Sequence, residues 1–203
     1  MAMRNEVVMK LPEPQIRGKV SIEETLFKRR SIRGYTNETI TLEEVSQLLW
    51  AAQGVTDTNG LRTAPSAGGL YPLEFYLIAG KVSGLPSGIF KYVPDGHQLL
   101  KMAGGDRREE LSRIVIGQSF VAEAPASFTI SAVYERTTGR YGNRGIRYVD
   151  MEAGHAAENL LLQGVALGIG AVMVGAFDDK GVAKLLQLSG NETPLYIIPT
   201  GRK

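Results

Sequence analysis

The sequence contains no cysteine. Disulfides, thiolate nucleophiles and every cysteine-ligated metal or iron–sulfur site are therefore excluded. A chain without cysteine fits a reducing, cytoplasmic setting. Histidine is nearly as scarce: His97 and His155 are the only two, and they lie far apart. A histidine-built zinc site is not expected. Long apolar runs are missing too. The most apolar stretch, Gly164–Phe177, is studded with glycine and falls short of the roughly 20 residues that a membrane-spanning helix needs. The opening MAMRNEVVMK holds no apolar core of a secretory signal, so none is expected there. Charge is balanced, with 23 basic and 21 acidic residues. Neither a nucleic-acid nor a membrane partner is announced. A soluble, cytoplasmic protein is expected.

What remains is an ordinary globular composition of 203 residues, 43% hydrophobic and 22% charged. That length supports one domain with a full core. Residues 1–20 read as an extended arm, with Pro12 and Pro14 blocking a helix. Residues 21–203 read as the domain. Two capping-box patterns, Ser21–Glu24 and Thr41–Glu44, predict helices over 21–29 and 41–54. Further helices are expected over 106–116, 147–167 and 178–188. Strands are expected over 74–79, 88–92, 98–102, 126–133, 171–174 and 194–200. The turn Pro94–Gly96 joins two of them. Helices and strands mix without strict alternation. The fold class is therefore α+β, a central sheet covered by helices.

Common site motifs fail one by one. Gly168 and Gly170 begin a dinucleotide fingerprint, but Met173 stands at the third glycine position and the pair follows a helix. No phosphate loop of the GxxxxGK[ST] type is present. Ser66 lacks the flanking glycines of a nucleophile elbow, since Ala64 stands two residues before it. Glu152, His155 and Asn159 share one helix face. They read as core or interface, together with the small residues Ala153, Gly154, Ala156 and Ala157.

Three stretches stay unexplained. KRRSIRGY, Lys28–Tyr35, puts four cations and a hydroxyl at a helix end. Arginine forks match phosphate oxygens, although a solvated charge run has the same look. APSAGG, Ala64–Gly69, runs small residues into a strand. It is either a plain turn or a loop that lets backbone approach something flat and large. PTGRK closes the chain with glycine and two cations.

Taken in order, RRSIRGY, APSAGGLYP, YGNRGIRYVDMEAGHAAENLLLQGVALGIG, VGAFDD and PLYIIPTGR resemble the nitroreductase superfamily. Within it the chain is most similar to the SagB-type dehydrogenase branch, which oxidises azolines in modified peptides. The resemblance covers about Ser21 to Lys203. It implies an FMN fold with a mixed, mostly antiparallel sheet flanked by helices. It also implies a homodimer with shared active sites and a C-terminal segment packed on the partner.

Carried over by position, Arg29, Ser31 and Arg33 are the expected phosphate and pyrimidine-edge contacts, with Arg30 nearby. Gly201 and Arg202 supply the second phosphate cation. Val174, Gly175, Ala176 and Phe177 form the backbone segment facing the flavin ring. Pro65, Ser66, Ala67 and Gly68 form the loop that reaches the flavin of the other subunit. Gln118 matches a polar residue at the flavin edge. The implied activity is NAD(P)H oxidation coupled to reduction of nitroaromatics, quinones or similar acceptors by ping-pong hydride transfer. One departure matters. Azoline-oxidising relatives carry a Lys-Tyr pair where this chain has Arg140-Tyr141. Lysine can exchange a proton and arginine stays charged. Tyr141 is the catalytic candidate that remains. A peptide-tailoring dehydrogenase, a non-catalytic flavin-binding module and a nucleic-acid binder are the alternatives.

Overall fold

The computed structural model describes residues 7–203. The first six residues of the expected arm lie outside the described residues. In chain order the elements are β1 (Val8–Lys10), α1 (Ile22–Lys28), β2 (Ile40–Thr41), α2 (Leu42–Gln53), β3 (Leu73–Ala79), β4 (Val82–Ser83), β5 (Gly88–Val93) and β6 (Gln98–Gly104). Then follow α3 (Arg108–Ile114), α4 (Phe120–Glu123), β7 (Ala126–Ala132), α5 (Glu135–Tyr141), α6 (Arg144–Ala166), β8 (Ile169–Ala171), α7 (Asp179–Leu186) and β9 (Thr193–Arg202).

Seven strands form one sheet in the order β1-β6-β5-β3-β7-β9-β8. Every neighbouring pair in it is antiparallel. Among the described residues, parallel pairing is confined to β2 with β4 and to a Ser31–Ala171 bridge. The expected α+β class therefore holds. β3 explains why both faces of the sheet are covered. Phe75, Leu77 and Ala79 point into one apolar cluster with α2 and α6, while Tyr76 and Ile78 point into another with α3 and α7. A strand buried on both sides loses polar alternation and reads as a continuous apolar run.

The Thr41 capping box closes in both directions, whereas at Ser21 only the N-cap half forms and the Glu24 carboxylate pairs with Lys28. Ser21 Oγ accepts from Glu24 N at 3.2 Å. Thr41 Oγ1 accepts from Glu44 N at 3.3 Å, and Thr41 N donates back to Glu44 Oε2 at 2.8 Å. Gly168, at φ +71, ends the long helix in the left-handed region. Gly170 does something else. It lies within β8, where an added Cβ would stand 2.7 Å from Ile32 Cγ2. The strand expected over 171–174 accordingly sits earlier, at Ile169–Ala171.

The described part of the arm docks on the domain: Val8–Lys10 is an edge strand paired with β6, and Leu11 is buried. Ser46 Oγ donates to Pro12 O at 2.5 Å. His97 Nε2 lies 2.6 Å from Ser46 Oγ, whose proton is spent on Pro12 O, so Nε2–H donates and Nδ1 is left to accept from Tyr92 Oη at 2.8 Å. This relay pins the arm to α2. The C-terminal segment, expected on a partner, instead runs between β7 and β8 of its own sheet. Its run of Ile197 and Ile198 is fully buried there, because the sheet has apolar layers on both sides. Among the described residues no helix is long and apolar enough to cross a membrane.

Candidate functional site

After α1 the chain runs extended as a strap along β8. Ile32 N donates to Ala171 O at 3.1 Å. Ile32 packs on the bare face of Gly170, so Ser31 and Arg33, on the opposite side of the extended chain, face out and are exposed. Tyr35 Oη lies 2.9 Å from the carbonyls of both Ile32 and Pro199 and ties the strap to β9. Burial pushes the Tyr35 hydroxyl well above its usual range, so it stays a donor.

The strap brings cations together. Arg29 Nε meets Glu158 Oε1 of α6 at 3.2 Å. Arg30 Nη1 donates to the carbonyls of Phe27 and Arg29 at the end of α1. Lys28, Arg29, Arg30 and Lys203 line one recess of about 60 Å³, walled by Leu161 and by the backbone of Gly168–Ala171. Among the described residues Arg30, Arg33 and Lys203 have no carboxylate within ion-pair range.

The sequence reading named Gly201 and Arg202 at the chain end and did not single out Lys203, the residue that lines the recess. In β9 successive side chains alternate faces. Arg202 points away from the recess to Glu44 Oε1 at 2.5 Å and Leu167 O at 3.2 Å. Strand periodicity, applied to PTGRK, would have separated Arg202 from Lys203. Gly201 also faces inward, since an added Cβ would stand 2.5 Å from Pro125 Cδ and 3.1 Å from Tyr35 Cδ1. Its small size serves packing. In this arrangement neither Gly201 nor Arg202 lines the recess.

The second group surrounds the small-residue loop. Pro65 and Gly68 are exposed, and residues Ala67–Gly69 make one tight 3-10 turn with Gly68 at φ +65. An added Cβ on Gly68 would lie 2.8 Å from Tyr141 Oη and 2.9 Å from Arg140 Nη1. The loop and the Arg140-Tyr141 pair are thus one surface. Beneath it sits a buried polar network. Ser66 Oγ accepts from Tyr71 N at 2.9 Å and hydrogen-bonds Glu152 of α6. Gln53 Nε2 donates to Glu152 Oε1 at 3.1 Å. Burial raises the Glu152 carboxyl above its usual value, and the hydrogen bonds and Arg62 oppose that shift. Arg62 stacks on the Tyr71 ring at 4.3 Å. Gln53, Arg62, Tyr71 and Glu152 were not singled out as site residues, because their roles need three separate elements to meet.

The third group is Val174–Phe177. Val174 bridges Ile197 through two backbone bonds of 2.8 and 2.9 Å. Gly175 and Ala176 project beyond it and are exposed. A Val115–Phe177 bridge ties the segment to the end of α3, close before the turn that carries Gln118. A cavity of about 680 Å³ lies elsewhere, between the arm and the helices α2 and α6. None of the expected cofactor residues lines it.

Residues 26–202, which carry the strap and the small-residue loop, match the nitroreductase family model. The chain belongs to the nitroreductase family. It is 44% identical over 195 residues to a protein of Methanocaldococcus jannaschii named as a nitroreductase, covering 96% of this chain and 97% of that one. A structure described as a nitroreductase from Anabaena variabilis superposes with TM-score 0.85 at 28% identity, over 97% of this chain but only 42% of that one. A chain of the E. coli microcin synthetase McbBCD complex, with truncated pro-MccB17 bound, superposes with TM-score 0.76 over 98% of this chain and 79% of that one. At 22% identity that likeness is one of fold.

Proposed function

We propose that this nitroreductase-family oxidoreductase binds FMN, oxidises NADH or NADPH and reduces a nitroaromatic, quinone or similar acceptor. The cationic recess is the main support. Arg29, Arg30 and Lys203, which line it, form a cationic donor set suited to a phosphate monoester, and the exposed Ser31 hydroxyl lies between them in the chain on the outer side of the strap. The exposed backbone at Gly175-Ala176 suits a flat ring at van der Waals distance. FMN, when bound, supplies hydride chemistry, and the protein supplies position and electrostatics. Arg29 and Lys203 would hold the phosphate. Arg33 would place positive charge at the pyrimidine edge. Tyr141 would orient the acceptor from the loop surface.

The active unit would be a homodimer. The strap and the 65–68 loop anchor to different turns of α6, through Glu158 and Glu152 respectively. Beside the strap, α1 exposes Ile22, Leu26 and Phe27, and α6 exposes Ile146 and Met151. An apolar face of this kind suits burial against a second copy. That copy would bring its loop and its Arg140-Tyr141 pair to the first copy's recess.

The test is the visible spectrum of the purified protein, followed by identification of the heat-released cofactor. Yellow protein releasing FMN, dimeric by light scattering and oxidising NADH or NADPH with a quinone, is expected. Colourless protein that cannot be reconstituted with FMN would overturn the proposal. Peptide tailoring is the second reading, favoured by the fold shared with the microcin synthetase chain. Oxygen-dependent oxidation of an azoline peptide, without nicotinamide turnover, would put it first. FMN binding without any turnover would leave a flavin-binding module.

A further inference from the structure

The corner between α5 and α6 carries more charge than the proposed reaction uses. Three arginines, Arg140, Arg144 and Arg147, stand exposed there. Among the described residues none has an ion-pair partner, whereas neighbouring Arg136 is committed to Glu74. The nearby carboxylate Asp150 already accepts from Tyr134 Oη at 2.6 Å. Glu135 is at the opposite end of α5 from Arg140.

The local fold arranges these cations. Gly142, at φ +56, reverses the chain between the helices. Gly145 lets α6 pack flat on α5, since an added Cβ would lie 2.9 Å from both Thr138 N and Thr138 Cα. This presses Tyr141 against Tyr148 edge to face, with ring centroids 5.3 Å apart and planes at 84°. Arg140 Cζ lies 5.4 Å from the Tyr141 centroid, and Arg144 Cζ lies 6.0 Å from the Tyr148 centroid. Arg140, Tyr141, Tyr148 and Arg144 therefore form one continuous strip. At its Arg140 end the strip abuts Gly68 of the small-residue loop.

Resting on the reading above, we propose that this strip selects an aromatic acceptor bearing an acidic group. The two tyrosines offer apolar ring surface to the aromatic body. The arginines offer N–H forks to a carboxylate or phosphate. Stacking on the rings restrains both guanidinium groups before binding, which lowers the ordering cost a ligand must overcome. A plain solvated charge run would carry its cations apart from one another and from the site loop. A nicotinamide dinucleotide also combines an aromatic ring with phosphates, so donor and acceptor are measured separately.

The experiment compares 4-nitrobenzoate with its neutral methyl ester as acceptors, using the FMN-loaded protein and saturating NADH. Calorimetric binding of 4-nitrobenzoate to the protein as purified is read alongside. A kcat/KM at least about tenfold higher for the acid is expected, falling as salt is raised. Arg140→Gln with Arg144→Gln should lower acid turnover and acid binding about ten- to a hundredfold, and ester turnover far less. The double lysine variant should recover part of the preference. Equal kcat/KM for acid and ester in the wild type would overturn the proposal. So would a glutamine effect confined to the rate of flavin reduction by NADH or NADPH, which would assign the strip to the donor. If the protein takes up no FMN, the functional reading fails by itself. Calorimetry then still decides: Arg-dependent binding of 4-nitrobenzoate supports the strip, and its absence rejects it.

Discussion

Arg202 Nη2 lies 2.5 Å from Glu44 Oε1, so the penultimate residue of the chain is clamped to the capping residue of α2. The other Glu44 oxygen accepts from Thr41 N, and Arg202 Nη1 donates to Leu167 O. One guanidinium thus ties together the end of β9, the start of α2 and the end of α6. Arg202→Ala should lower unfolding free energy by about 1–3 kcal/mol, as for a partly buried charged hydrogen bond left half-made. FMN affinity of the folded variant should stay within about threefold. Denaturant unfolding and flavin fluorescence titration measure the two. A stable variant that has lost FMN would place Arg202 in the phosphate set.

Lys203→Ala should behave in the opposite way. Lys203 lines the cationic recess and has no ion-pair partner among the described residues. Its loss should weaken FMN binding by about tenfold or more, the worth of one charged hydrogen bond to phosphate. Stability should move by less than about 0.5 kcal/mol. Unaltered FMN affinity would place the phosphate elsewhere.

His97 should make stability fall in mild acid. Burial holds its pKa below the ordinary 6.5. In the window between the folded value and 6.5, the unfolded chain binds the extra proton. Stability is therefore full above that window and is lost as pH falls through it. Glu13 and Lys10 of the arm bear on the same ring with opposite signs. Unfolding free energies taken across this range should slope in the wild type and lose that slope in His97→Gln. An identical slope in the variant would assign it to other groups.

Glu152 should act with the opposite sign. Its carboxyl is raised above 4.5 by burial. The contribution to stability is then full below 4.5 and is lost as pH rises through the folded value. Glu152→Gln keeps hydrogen-bonding capacity toward Gln53 and Ser66 and should remove this dependence. Glu152→Ala abandons both partners and should cost about 1–3 kcal/mol. Thermal unfolding across pH compares the three proteins. A glutamine variant as damaged as the alanine one would mean that the carboxylate charge itself holds the loop.

Tyr141→Phe separates the two leading functions. Nicotinamide-driven reduction needs no side-chain base, so turnover should fall less than about tenfold, through acceptor placement alone. Azoline oxidation needs a base to take a proton from carbon, typically worth about 10²–10⁴-fold. NADH-driven quinone reduction, with equal FMN occupancy in both proteins, gives the answer. A loss near a thousandfold would overturn the reductase reading.

The helices were legible because their signals are local. Ser21 and Thr41 announce helix starts through bonds only three residues long, and Gly168 ends α6 by its own backbone angle. The β3, β5, β6, β7 and β9 strands were legible from apolar runs. The short pieces were not. Val8–Lys10 is a strand only because β6 offers it an edge, and α5 forms in a glycine-containing segment that α6 packs against.

The site divides in the same way. The order of RRSIRGY, APSAGG, VGAF and PTGRK was enough to expect a cation-and-serine strap, a small-residue loop and a cationic chain end, because residue type and spacing are properties of the chain alone. Only the tertiary structure decided which cations converge. Side-chain alternation in β9 sends Arg202 to Glu44 and Lys203 to the recess, and a sequence read without its strand register treats the two alike. The Glu152 network and the Arg140–Arg144 strip likewise exist only where separate elements meet, since their energies depend on distance across space and not along the chain.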